Sequence, residues 1–79
     1  WNMARDDRIK LDKEEIGDMK KVIQHFFRKE REEEIGELAS GFLLDMIVKE
    51  IAPTFYNRGV EDACAYLGER LEDARSLMI

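Results

Sequence analysis

The sequence predicts an all-α fold: a three-helix bundle-like single domain with a short extended N-terminal arm, assembled as a homodimer. Three observations carry this. Apolar residues recur at three- and four-residue steps in three separate segments. A charged stretch before Gly36 and the only proline, Pro53, separate those segments. The middle segment also carries more apolar surface than one neighbouring helix can cover.

In the first segment Ile16, Met19, Val22, Ile23, Phe26 and Phe27 form one stripe. Asp12 with Glu15 three residues on matches a capping box, so helix one is expected from Asp12 to about residues 31–34. The polar run 28–34 with Gly36 behind it predicts a break, and hence an antiparallel helix pair. Arg28–Glu32 and Lys29–Glu33 are expected to pair at four-residue spacing there. Ahead of helix one, Arg8-Ile9-Lys10-Leu11 alternates polar and apolar, as a short strand or an extended arm would. The arm is assigned residues 1–11 and the helical domain 12–79, with Trp1 and Asn2 preceding a plausible start at Met3.

The second segment places Ile35, Leu38, Ala39, Phe42, Leu43, Met46 and Ile47 on a broad apolar arc. Leu44, Val48 and Ile51 form another stripe opposite it, beside Ser40 and Gly41. A helix apolar on two faces must be covered twice. Helices one and three are expected on the broad arc, and a second copy of the chain on Leu44, Val48 and Ile51. Pro53 lacks an N–H and disfavours α geometry at the residue before it, so it is expected to end this helix. Residues 54–59 then become a connection, with Asn57 or the residues just after it capping helix three. Val60, Ala63, Cys64, Leu67, Leu71, Ala74 and Met78 share one face of that last helix, which would bury the Cys64 thiol.

Seventy-nine residues bury a small core, and chains of this size often lean on disulfides, metals or oligomerisation. One cysteine allows no internal disulfide, and the ligands of a zinc cluster are absent. Oligomerisation remains. The lone thiol and the lack of an apolar leader or membrane-length run point to a cytoplasmic protein, off the membrane. The net charge is −5, split as +2 over residues 1–31 and −7 over residues 32–79. That balance disfavours nucleic acid as a partner.

Catalytic patterns are missing. His25, the only imidazole, lies opposite the first apolar stripe with no carboxylate to orient it. No phosphate loop, nucleophile elbow or metalloprotease helix occurs. No enzyme activity and no cofactor are expected. Asp45, at the border of the broad arc, needs hydrogen-bond partners if it is covered. With Tyr56, Asn57 and Arg58 it forms the candidate binding set, because aromatic and amide groups on a loop often meet partners.

Several of these residues resemble a known family. Glu30-Arg31, Glu34-Ile35-Gly36, Leu43-Leu44-Asp45, Pro53, Phe55-Tyr56-Asn57-x-Gly59-Val60 and Asp62-Ala63 are similar to a family of short bacterial proteins catalogued as domain-of-unknown-function family 2164. The likeness runs from about Ile9 to Leu71. Ala52 stands before Pro53 where the family would carry a glycine, a departure that bears on the local turn. The resemblance implies a bacterial origin and a single short domain, and it supplies no catalytic residues.

The function expected is therefore that of a homo-oligomeric helical interaction or regulatory protein, binding itself and another protein. Two alternatives stand beside it. One is a ribbon-helix-helix DNA-binding regulator, with Arg8 and Lys10 reading the major groove. The other is a small-ligand or metal site around Asp45, Tyr56 and Asn57.

Overall fold

The computed structural model describes residues 8–79; residues 1–7 of the expected arm lie outside that range. Helix α1 spans Lys13–Arg31 and α2 spans Glu37–Met46. A π-helical segment, Ile47–Ile51, joins α2 without a break to α3, Ala52–Arg75. Every regular element among the described residues is helical, as the apolar periodicity required. The bundle is not formed. The α1 and α2 helices pack as a hairpin, while α3 runs on from α2 and makes its contacts with the π segment before it.

Helix α1 begins as its sequence dictates. The Asp12 carboxylate accepts from the Glu15 N–H at 2.8 Å, and the Asp12 N–H donates to the Glu15 carboxylate at 3.0 Å. Two otherwise orphaned donors are thereby satisfied. The helix ends at Glu32, whose φ of 53° lies in the left-handed region. The N–H groups of Glu32 and Glu33 both turn back to the Phe27 carbonyl. This reversal makes the antiparallel pair and also removes the four-residue register expected for the charged run. Arg28 instead reaches Glu34 at 2.9 Å, and Arg31 reaches Glu33 at 3.3 Å.

The α1–α2 contact is built on small residues. Ser40 is fully buried, and Leu44, 5% exposed, is the only buried apolar side chain among the described residues. The Ser40 hydroxyl lies 3.0 Å from the carbonyls of Gly36 and Glu37, and Gln24 of α1 reaches across to it at 3.5 Å. Gly41 leaves a lane for the Lys20 side chain, whose Cε would sit 3.4 Å from a Cβ at that position. Lys20 then ends 3.5 Å from Glu37.

This contact reverses the expected assignment of faces. Leu44, expected at a dimer interface, is covered by α1 of its own chain. The broad arc, expected to meet helices one and three, leaves Leu38 and Phe42 exposed, Phe42 by 64%. The reason is geometric. A helix pair approaches most closely where side chains are smallest, so the Ser40–Gly41 side draws α1 in and the bulky arc is left over.

Pro53 does not end the helix. It sits in the first turn of α3, where its missing N–H costs little. Its ring would still crowd the carbonyl four residues back in an unbroken α-helix. The π segment gives way there: the Ala52 N–H donates to the Ile47 carbonyl, five residues back. Residues 54–59, expected as a connection, are therefore α-helical, and Asn57 caps nothing. Ala52 is helical as well, at φ −58°, a value that needs no glycine.

Candidate interaction surface

Because α3 does not fold back, its apolar stripe has no cover. No residue of α3 is buried. Tyr56, Val60, Leu67 and Leu71 are all exposed, Leu67 by 64%. Cys64, expected to be an inert buried thiol, is free and exposed for the same reason.

The π segment decides where this stripe points. Ser40, Leu44 and Val48 follow one another at four-residue steps along the side of α2 that α1 covers. The next step, Val48 to Pro53, is five residues and crosses the π turn, where each bond also spans five. From Pro53 the stripe continues through Tyr56, Val60, Ala63, Leu67 and Leu71 at α-helical steps. One apolar side thus runs the length of the rod. It is covered by α1 at one end and bare at the other, with Val48, Ala52 and Pro53 half-buried between.

A second feature lies beside the hairpin. Leu11, just ahead of α1, Ile16 in its first turns, and Leu38, Phe42, Leu44 and Val48 line an apolar groove of ≈ 570 Å³. Lys20, Glu37, Asp45 and Lys49 also line it. Residues 8–11, which run beside this groove, contain a turn, a bend and coil rather than a strand.

The structure separates the expected binding set. Asp45 is exposed at the groove, and it makes no hydrogen bond or ion pair among the described residues. Tyr56, Asn57 and Arg58 lie on α3, eleven to thirteen residues on, so about 16–20 Å farther along the rod. Val48 lines the groove, and Ile51 is exposed at the end of the π segment. The surface that sequence reasoning missed is the continuation of the Leu44–Val48 stripe into α3. A five-residue step at the one proline is its only trace in the sequence.

His25 is exposed on α1, as its place opposite the apolar stripe required. Among the described residues no helix is long and apolar enough to cross a membrane. Neither the curated proteins nor the solved structures provide a match to this chain. The family comparison is positive: residues 9–79 match the uncharacterized conserved protein family DUF2164, covering the hairpin, the π segment and α3, and the chain belongs to that family.

Proposed function

We propose that this chain is a non-enzymatic helical interaction module that works as a homo-oligomer, with α3 as its contact face. The observation that supports this reading is the bare stripe of α3, a helix of 24 residues without a buried side chain. Isolated helices are marginal in water, and in proteins most helical stability comes from packing an amphipathic face. A long helix with an unpacked apolar face is therefore the expected form of a subunit rather than of a finished monomer. Sedimentation of the full chain tests it. Species heavier than the 9.3 kDa monomer are expected at micromolar concentration. A chain that stays monomeric at high micromolar concentration ends the proposal.

The groove supports a second reading, a small-ligand site at Asp45 rather than at the expected Asp45–Tyr56–Asn57 cluster. Its volume suits a small organic molecule, and its apolar lining carries a few charged groups. A ligand held there stabilises the hairpin by mass action, so a metabolite panel should raise the melting temperature. A flat panel removes this reading and leaves the first untouched.

A further inference from the structure

The spacing of residues along α3 goes further than self-association, on which this inference rests. We propose that two copies join through α3 in antiparallel orientation, with the two-fold axis at Leu67.

Within α3 the seam residues follow steps of four, three, four, four and three from Tyr56 to Ala74. That series repeats every eleven residues, or about 3.67 per turn, so the seam stays nearly straight along the helix. From Val60 to Ala74 it also reads the same in both directions about Leu67. Antiparallel pairing about that residue sets Val60 against the partner copy's position 74, an alanine, and Ala63 against position 71, a leucine. Leu67 meets itself. Large side chains face small ones, as close packing requires. Parallel pairing in register would instead set Ala63 against Ala63 and Ala74 against Ala74, leaving voids beside crowded leucine layers.

Charge points the same way. Glu61 and Arg75 lie fourteen residues apart, close to four turns, on one flank of the stripe. In antiparallel pairing like flanks face each other, so each Glu61 comes within two residues, about 3 Å along the axis, of an Arg75 across the seam. A parallel pair sets the two Glu61 side chains on opposite sides of the seam, where neither approaches an Arg75. Within its own chain Arg75 reaches only Glu72, at 3.8 Å, and Glu61 has no ion pair among the described residues. Gly68 sits midway between the two charges on that flank, where it adds no bulk to hold the helices apart.

The test uses the full chain with Cys64→Ala and a spin label at Ser76→Cys. Antiparallel pairing places the labels about 27 Å apart along the axis, since eighteen residues at 1.5 Å separate them. Parallel pairing places them at one level, within about 20 Å once label length is added to an 8–10 Å helix spacing. In the same experiment Glu61→Arg should weaken association about three- to tenfold, and Glu61→Arg with Arg75→Glu should restore it. A long distance with rescue is the expected result. A short distance overturns the antiparallel seam but leaves self-association standing. A long distance without rescue overturns it too, because the copies then meet by another face. A monomer at every concentration overturns both this arrangement and the homo-oligomer.

Discussion

Asp12 closes both hydrogen bonds of the capping box at the start of α1, and its position was legible because capping is local. Asp12→Ala should cost about 1 kcal/mol, read as a lower urea midpoint with an unchanged slope. Leu44 is a different case. Its neighbours could not be read from helical periodicity, since both faces of α2 are apolar and only packing chooses between them. Leu44→Ala should cost about 2–3 kcal/mol, the low end for buried leucines, because a thin two-helix core can partly collapse around the gap. Gly41→Ala carries the opposite sign. The new methyl meets only the flexible end of Lys20, at 3.4 Å, and mid-helix glycine is about 1 kcal/mol worse than alanine. That variant should melt a few degrees higher. A melting temperature that falls would mean α1 sits closer to α2 than the Lys20 contact indicates.

At the scale of elements, α1 and the break after it follow from short-range patterns, and the structure has both. The π segment and the start of α3 do not. Proline is a reliable stop in a regular helix because it removes one bond and crowds one carbonyl, but a π turn relieves the crowding while the chain stays helical. Once that happens, residues 54–59 lose their loop and Tyr56, Asn57 and Arg58 become positions on a rod. The expected binding set dissolves with the loop that was to gather it. A helix without buried side chains is also the least protected part of the fold. Hydrogen exchange at low concentration should therefore show α1 and α2 amides protected and α3 amides exchanging quickly. Raising the concentration should slow exchange across residues 56–75 alone if the α3 seam forms. Uniform slowing, or none, would place the contact elsewhere.

For the molecule as a whole, the Cα radius of gyration is 18.8 Å, against about 12 Å for a compact domain of this length. The long axis of 66 Å matches a continuous rod through α2 and α3, about 58 Å of helix, with the chain end beyond it. Leu67→Lys places a charge at the centre of the proposed seam. It should abolish association while leaving the α1–α2 hairpin folded, and small-angle scattering of that monomer should return a radius near 18.8 Å. A radius near 12 Å would show α3 folding back on its own hairpin, and so restore the three-helix bundle the sequence suggested. Residue order dictates the helical class, the capped start of α1, the reversal after it and the excess of apolar surface, because each follows from local hydrogen bonding or from counting. The packing of the helices decided which face of α2 meets α1, that Pro53 is passed within a continuous rod, and that the face of α3 is left bare along with the broad arc of α2. Those outcomes depend on how closely two backbones approach and on one widened turn, and residue order carries no more of them than the five-residue step at Pro53.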